Sequence, residues 1–334
     1  MEKKKHIVIV TEEFDPHTDV VMVTLRAMGH QPVRIHTADF PLKEQLSFHI
    51  GTHGAEATWS GWLGAHGERI DIDTIRSIWW RRPAPFLFPE TWASHERDFA
   101  HNEFDHALRG MWATRDCYWM SFPQHIRGAS YKVEQLQRAA AYGFDIPRTL
   151  VTSDPAEARS FYDVCCGKMI YKTLSQPMFQ PNQQGPLHAI YTTPITDAHF
   201  EQFDETIGQS PCLFQEYVPK QLELRVTIIG DDIFTAAIHS QDHERTQYDW
   251  RHYEVDIPYT QFDLPVEIAE CCHKLVTSYQ LNYSAMDFIL TPDGRYVFIE
   301  NNPNGQWYFL QEAIPELKMK EALASYLIRG NSAG

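Results

Sequence analysis

Two carboxylates and an amide in the C-terminal third of the sequence have the spacing of a metal site. Asp287 and Glu300 lie in two β-favouring runs that flank an Asp-Gly dipeptide, a strong signal for a two-residue hairpin turn. If Pro292 pairs with Arg295 across this turn, Asp287 stands directly opposite Glu300, and the alternation of a strand adds Asn302 to the same face. The apolar side chains predicted for the other face are Met286, Phe288, Leu290, Val297 and Ile299.

Opposed carboxylates on one face of a sheet repel each other, and the arrangement is destabilising unless positive charge neutralises it. A divalent cation would provide that charge. Carboxylate and amide oxygens are hard ligands, and Mg²⁺ typically takes one or two carboxylates and completes its coordination with waters and substrate phosphates. The alternative is an exposed hairpin whose polar face simply meets water.

The composition limits the possible partners. The chain has 334 residues and a formal net charge of -15, so its surface repels nucleic acids and anionic membranes, and an anionic ligand needs a local basic cluster. No apolar run of about 18 residues predicts a membrane span, and the run after the basic start is too short for a signal peptide. The six cysteines form no Cys-x-x-Cys spacing, which favours reduced thiols in a cytoplasmic protein.

The first part of the chain has the pattern of a parallel α/β unit. A strand, an amphipathic helix and a second strand follow one another over residues 6–36, without the Gly-x-Gly-x-x-Gly turn of a dinucleotide site. A later predicted strand, Ile75–Arg82, ends in Arg81 and Arg82. Arginines at the carboxyl end of a strand point into the crevice where such sheets bind ligands, although they can also pair with nearby acids.

The middle of the chain places two lysines at the ends of regular elements. Lys132 lies in the first turn of a helix predicted from Ser130 to Tyr142, and Lys172 ends a predicted strand. The segment Ser175–Pro186 is predicted to form a β-turn-β flap over a ligand. An apolar strand, Cys212–Val218, follows.

In the last part of the chain, Glu223 and Arg225 alternate with apolar residues and share the polar face of one predicted strand. They face a ligand or form only a weak cross-strand ion pair. A long polar loop at 240–254 carries Arg245 and Arg251. Such loops on rigid scaffolds carry substrate contacts, and the alternative is a solvated loop.

In their order and spacing, these elements resemble the ATP-grasp carboxylate ligases. A narrower set of motifs is similar to those of the graspetide synthetases, the microviridin-type peptide maturases, over nearly the whole chain. The motifs are Trp80-Arg-Arg-Pro83, Gln215-Glu-Tyr-Val-Pro-Lys-Gln-Leu-Glu-Leu-Arg225, Ser240-Gln241, Asp249-Trp-Arg251 and Glu300-Asn-Asn-Pro-Asn-Gly-Gln-Trp307.

The resemblance implies a mixed α/β (α+β) fold of three parts: an N-terminal parallel α/β domain at 1–127, a central subdomain with the flap at 128–218, and a C-terminal antiparallel-sheet subdomain at 219–334. ATP would lie between two sheets. By this resemblance, Lys132 and Lys172 would bind the phosphates, and Glu223 would bind the ribose. The adenine would lie against Gln215, Glu216, Tyr217 and Val218. Two Mg²⁺ ions would be bound by Asp287, Glu300 and Asn302.

The resemblance also implies an activity. Such enzymes phosphorylate Asp or Glu side chains of a ribosomally made precursor peptide, and a Ser or Thr hydroxyl then captures the acyl phosphate as a macrolactone, or a Lys amine as a macrolactam. Lys172 and Arg225 would be catalytic, because phosphoryl transfer and the tetrahedral acyl intermediate both need fixed cations. We also expect a leader segment to dock on the central subdomain, and a homodimer. The predicted substrate contacts are Arg81, Arg82, Ser240, Arg245 and Arg251.

Two alternatives share the nucleotide site. One is an ATP-grasp ligase that adds free amino acids, such as glutamate, to a protein or a small molecule. The other is an inactive ATP-binding sensor or scaffold. The complete set of oxygen ligands and both lysines argue against the inactive protein.

Overall fold

The chain opens with a parallel α/β unit, as the sequence predicts. The computed structural model describes residues 6–53, 56–175, 178–179, 188–252 and 254–330. The first elements are β1 (His6–Thr11), α1 (Pro16–Ala27), β2 (Pro32–Ile35), β3 (Leu46–His53), β4 (Glu56–Ala65), β5 (Glu68–Asp71), β6 (Ile75–Arg82), α2 (Ser94–Ala113), β7 (Tyr118–Trp119) and α3 (Pro123–Gly128). Strands β2-β1-β6-β7 form a parallel sheet in that order, and β3-β4-β5 form a separate antiparallel sheet.

A second sheet lies in the middle of the chain. The elements are α4 (Lys132–Ala141), β8 (Thr149–Thr152), α5 (Pro155–Val164), β9 (Met169–Lys172), β10 (Met178–Phe179), β11 (His188–Ala189), β12 (Thr193–Ile195), α6 (Asp197–Ile207) and β13 (Cys212–Glu216). Strands β12-β9-β13-β8 form the antiparallel central sheet. Of the predicted flap, β10 pairs with β11, whereas 176–177 and 180–187 lie outside the described residues.

The C-terminal sheet carries most of the residues predicted for the site. Its elements are β14 (Leu222–Ile229), β15 (Asp232–Ile238), β16 (Tyr259–Gln261), α7 (Val266–Ser278), β17 (Tyr283–Leu290), β18 (Tyr296–Asn302), α8 (Tyr308–Ala313) and α9 (Met319–Arg329). The antiparallel order is β16-β15-β14-β17-β18. The chain closes in two helices, α8 and α9, because it turns through a short 3₁₀ segment at Pro315–Leu317 between them.

The β17–β18 hairpin confirms the key pairing but not the predicted turn. Asp287 pairs with Glu300, whereas the amide of Thr291 donates to the carbonyl of Arg295, so Pro292 is inside a three-residue turn that ends in Gly294 with φ +85°. A β-bulge after Asp287 compensates for this shift. An extra residue in one strand restores the register beyond it.

The same bulge changes which face two apolar residues occupy. Met286 and Phe288 pack in the sheet core with Phe298, as alternation predicts for the first two. Val297 and Ile299, predicted for that core, pack instead on the opposite face in a small cluster with Val218 and Ile289. The prediction for these two was wrong because it assumed an unbroken period of two.

Helix α4 packs on the C-terminal sheet. Leu136 and Ala139 belong to the core that contains Phe288 and Phe298. The buried Gln135 also bonds to both backbone polar groups of Asn301: its Nε2 donates to the carbonyl at 2.8 Å, and its Oε1 accepts from the amide at 2.9 Å. The helix begins at Lys132, two residues after the predicted start, and has no side-chain cap; the hydroxyl of Ser130 donates instead to the carbonyl of Ile126.

The first and last parts of the chain share one core. Ile7, Ile9 and Leu25 pack with Leu323 and Leu327. This contact places the loop after β1 beside the loop after β18. None of the helices in the described ranges has the length and apolar character needed to cross a bilayer.

His17, at the start of α1, joins these two loops. Its Nδ1 accepts from the backbone amide of Tyr308 at 3.2 Å and from that of Trp307 at 3.5 Å. The ring is therefore held neutral at the start of α8, because a protonated Nδ1 could accept neither bond. Burial and the positive charge of Arg81 lower the pKa of His17 to about 3, against the opposing charge of Asp15.

Gly230 is expected to tolerate no side chain. Its φ is +59°, and an added Cβ would lie 2.1 Å from ring atoms of Tyr326, whose hydroxyl accepts from the amide of Asp231. Gly230→Ala should therefore lower the free energy of unfolding by about 2 kcal/mol or more. Denaturant unfolding measures it, with Gly110→Ala in α2 as the control. A Cβ at Gly110 meets nothing within 4 Å, so the control should be neutral or gain about 0.5–1 kcal/mol, and equal loss in both variants would contradict this account.

His17 should make stability depend on pH. The pKa of His17 in the folded protein lies below the ordinary value of 6.5, so between these two values only the unfolded chain binds the proton, and the stabilisation present above about pH 6.5 is lost as the pH falls. Between about pH 7.5 and about pH 5 the wild type should lose about 1–2 kcal/mol more than His17→Asn, which keeps an acceptor but does not titrate. Parallel unfolding curves for the two proteins would contradict the neutral, buried histidine.

Candidate active site

One pocket lies between the central and C-terminal sheets. It is bounded by the first turn of α4, the ends of β9 and β13, and the facing strands β14, β17 and β18. The fold thus brings together residues that are far apart in the chain. The predicted site residues that line it are Lys132, Lys172, Gln215, Glu216, Tyr217, Val218, Glu223, Arg251, Asp287 and Glu300.

The two carboxylates and the amide meet at the base of this pocket. The Nδ2 of Asn302 donates to Asp287 Oδ2 at 3.2 Å and to Glu300 Oε1 at 3.0 Å. The carboxylates remain 18% and 17% exposed towards the pocket. Across the described residues, no three His, Cys, Asp or Glu side chains gather as a metal-binding group, so a cation here would have two carboxylates and an amide as its protein ligands.

Protein cations already neutralise this acidic pair. Arg225 Nη1 donates to Asp287 Oδ1 at 2.6 Å, and Lys132 Nζ lies 3.2 Å from Glu300 Oε2. Part of the positive charge that the pairing requires therefore comes from the protein itself. Burial still raises the pKa of Asp287 to about 6 despite Arg225, whereas burial at Glu300 is outweighed by Lys132 and Lys172, which hold its pKa below the usual range.

The two lysines enter the pocket from different elements. Lys132 is the first residue of α4, and its Nζ also donates to the carbonyl of Thr173 at 2.8 Å. Lys172 ends β9, and burial lowers its pKa while the negative charge of Glu300 opposes that change. An ammonium group held in such a site is poised to bind a further anion.

The end of β13 offers a free backbone donor. The amides of Glu216 and Tyr217 donate to the carbonyls of Arg148 and Lys168. Within the described residues, the amide of Val218, the next along the chain, makes no hydrogen bond, and this residue lines the pocket. A ligand with a hydrogen-bond acceptor could use it.

Two other predicted contacts at this end have partners in the protein. The side-chain amide of Gln215 is buried and donates to the hydroxyl of Thr149 at 3.0 Å. The carboxylate of Glu223 accepts from Lys220 Nζ at 3.0 Å. A ribose hydroxyl would therefore meet a glutamate that already holds a lysine.

The predicted substrate contacts are dispersed. Arg251 lines the pocket, held by Asp249 through bonds of 2.5 and 2.8 Å. Arg245 lies outside the pocket lining and is exposed, 3.8 Å from Glu254. Ser240 is completely buried, which excludes it as a direct contact in this conformation.

The two arginines at the end of β6 differ. Arg82 is exposed, as a peptide contact requires. Arg81 is 2% exposed, donates to the carbonyl of Asn304 and lies 3.8 Å from Asp15, so its prediction as a substrate contact is contradicted by its burial. A strand-end arginine can point inward as readily as into the crevice, and the sequence does not distinguish the two.

Residues outside the predicted set also support the site. Asp249 accepts from the amide of Thr192 at 2.9 Å as well as from Arg251, and so ties the C-terminal loop to the central sheet. Burial raises its pKa, but Arg251 and the backbone donors lower it to about 2. An acid directly before Trp250-Arg251 was the available signal. The roles of His17, which binds the amide of Tyr308, and of Tyr283, whose hydroxyl donates to the carbonyl of Gly305, had no such signal in the sequence, because these partners are not sequence neighbours.

Comparison with known proteins identifies the family. The model of the MvdD pre-ATP grasp domain matches residues 6–127. A comparison with curated proteins finds no match. Among solved structures, macrocyclase MdnC of Microcystis aeruginosa MRC, bound with precursor peptide MdnA, is 30% identical over 96% of this chain and 99% of its own, with a TM-score of 0.83.

Two further structures agree. A RiPP-associated ATP-grasp ligase of Chryseobacterium gregarium, in complex with ADP and a leader and core peptide, is 26% identical over 97% of this chain and 96% of its own, with a TM-score of 0.86. Macrocyclase MdnB of Microcystis aeruginosa MRC is 28% identical over 97% and 99%, with a TM-score of 0.79. The chain therefore belongs to the ATP-grasp carboxylate ligases of the graspetide synthetase family, as its motifs predict.

Proposed function

We propose that this protein is an ATP-dependent peptide macrocyclase. It would phosphorylate Asp or Glu side chains of a ribosomally made precursor peptide and join them to Ser or Thr hydroxyls, or to Lys amines, within the same peptide. The observation that carries the proposal is the 30% identity, over nearly the full length of both chains, to a macrocyclase crystallised with its precursor peptide. The Chryseobacterium gregarium ligase, crystallised with ADP and peptide, supports the same reaction class.

The pocket supports ATP as the phosphoryl donor. Lys132 and Lys172 place two ammonium groups in a chain of net charge -15, which concentrates positive charge where a polyphosphate needs it. The amide of Val218, which has no partner among the described residues and lines the pocket, suits an acceptor nitrogen of adenine. Glu223, with Lys220, would meet the ribose.

The side chains at the base of the pocket fit Mg²⁺. Asp287, Glu300 and Asn302 are hard oxygen ligands joined by hydrogen bonds of 3.0–3.2 Å, and both carboxylates remain open to the pocket. Asn302 would turn its amide oxygen, rather than its nitrogen, towards the ion. Mg²⁺ bound here would supply charge stabilisation for the nucleotide phosphates and the transferred phosphoryl group.

The chain's own residues would then organise the acyl chemistry. A carboxylate is a poor electrophile, and phosphorylation gives it a good leaving group for attack by a hydroxyl or an amine. Lys172 would bind the transferred phosphoryl group. Both terminal nitrogens of Arg225 are engaged, by Asp287 and by the carbonyl of Gln306, so we propose that it acts through Asp287 rather than by direct contact with the acyl intermediate.

The acidic side chains of the peptide need cations that remain free to bind. Arg82 is exposed at the end of β6, and Arg251 lines the pocket beside Asp249. These two are the supported candidates among the predicted peptide contacts. Arg245 would serve only a part of the peptide outside the pocket, since it does not line it.

Several finer points stay predictions. They are the binding of two Mg²⁺ ions rather than one, docking of the leader on the central subdomain, the homodimer, the cytoplasmic location and the domain boundaries after 127 and 218. The choice between ester and amide depends on which nucleophile the peptide offers.

Removal of either carboxylate should slow cyclisation strongly. With ATP, Mg²⁺ and a precursor peptide, the wild type should give products lighter by one water per bond, whereas a ligase of free amino acids would add a residue mass. Asp287→Asn and Glu300→Gln should lower the cyclisation rate by about 10²–10³-fold, because each removes a negatively charged ligand of the Mg²⁺ that would stabilise the transition state. Mass spectrometry measures ring closure, and ADP release measures phosphorylation of the peptide.

The matched control is Glu270→Gln. Glu270 is exposed on α7 and 3.8 Å from Lys274, so the variant should cyclise the peptide at the wild-type rate. Wild-type turnover by Asp287→Asn or Glu300→Gln would remove these carboxylates from the mechanism. Absence of ADP release by the wild type with every acidic peptide would favour the inactive ATP-binding protein.

A further inference from the structure

The loop at 303–307, between β18 and α8, is held by buried side chains from three other strands. Its three consecutive carbonyls at positions 304, 305 and 306 each accept a bond. Arg81 of β6 donates to the first, the hydroxyl of Tyr283 of β17 donates to the second at 2.8 Å, and Arg225 of β14 donates to the third at 3.0 Å. The backbone of this loop therefore has little freedom to move.

The next two backbone amides are bound by another residue of the N-terminal unit. His17 accepts from the amides of Trp307 and Tyr308. Of the four side chains that bind this backbone, Arg81 and His17 both come from the N-terminal unit matched by the pre-ATP-grasp model at 6–127.

The loop is packed directly against Asn302. The amide of Gly305 donates to the carbonyl of Asn302 at 3.0 Å. A Cβ added to Gly305 would lie 3.1 Å from the Cβ of Asn302, 3.1 Å from Arg225 Nη2 and 2.6 Å from the Cβ of Ala285. A shift of this loop would therefore displace Asn302 and the guanidinium that holds Asp287.

The burial of the Arg81 guanidinium costs free energy. Its side chain is 1% exposed, and its nearest acid, Asp15, lies 3.8 Å from Nε and already accepts from the hydroxyls of Thr11 and Thr18. Among the described residues, its Nε and Nη2 have no hydrogen-bond partner. A buried guanidinium that is only partly satisfied is costly for a fold, so stability alone does not account for Arg81 at this position.

We propose that Arg81 and His17 are positioning residues that couple the N-terminal unit to Mg²⁺-dependent nucleotide binding through the 303–307 loop and Asn302. The inference rests on the proposed function, since it needs Mg²⁺ at Asp287, Glu300 and Asn302. Neither residue is among those that line the pocket. They fix the backbone that carries the amide ligand.

The test is the gain in ADP affinity that Mg²⁺ produces, measured by calorimetry with and without the ion. Arg81→Met and His17→Leu should bind ADP alone within about two-fold of the wild type but lose about ten-fold or more of the Mg²⁺-dependent gain, as for other residues that support metal ligands. His17→Asn, which keeps an acceptor near the position of Nδ1, should retain the gain.

Arg115→Met is the matched control. Arg115 pairs with Asp73 at 2.9 Å in the same unit but away from the loop, so its loss should leave the gain unchanged. An unchanged gain in both Arg81→Met and His17→Leu would overturn the proposal and leave the proposed function intact. If Arg81→Met does not fold, the contrast between His17→Leu and His17→Asn decides alone. A wild type whose ADP affinity is independent of Mg²⁺ would contradict both.

Discussion

The repulsion between Asp287 and Glu300 is the constraint that the rest of the site satisfies. The two acids face each other across a hairpin, half-buried, and the fold brings Arg225 to one of them and Lys132 to the other. Each cation comes from a different element, β14 and α4, so the positions of these elements depend on the same pair of charges. A nucleotide with Mg²⁺ would enter a site whose charges are already balanced, and would have to rearrange that balance.

This arrangement gives each acid a cation from the protein itself. Breaking either contact would leave a poorly solvated carboxylate, which costs far more than an exposed ion pair contributes. It also gives Arg225 a part in both halves of the site, because the same guanidinium holds Asp287 and the loop that follows Asn302. The acidic pair, the arginine and the loop are therefore one interdependent unit.

The sequence correctly predicted those parts of the fold that depend on residues close together in the chain. Strand β6 has the predicted bounds, Ile75–Arg82, and the parallel order of the first sheet follows from alternating strands and helices. The Asp287–Glu300 pairing was predicted correctly from a turn that was wrong, since a longer turn and a bulge shift the register in opposite directions. Neither the longer turn nor the bulge can be recognised from the hydrophobic alternation of the sequence. Contacts such as that of His17 with Tyr308 depend on tertiary packing and carry no sequence signal.

The two hydrogen bonds of Gln135 to Asn301, together with the shared core of α4 and the C-terminal sheet, attach α4 to the C-terminal sheet. Lys132 and Glu300 therefore lie on elements that are bonded and packed to each other. Lys172 instead ends a strand of the central sheet. A rotation of the central sheet relative to the C-terminal sheet would change the distance from Lys172 to Glu300 more than the distance from Lys132 to Glu300.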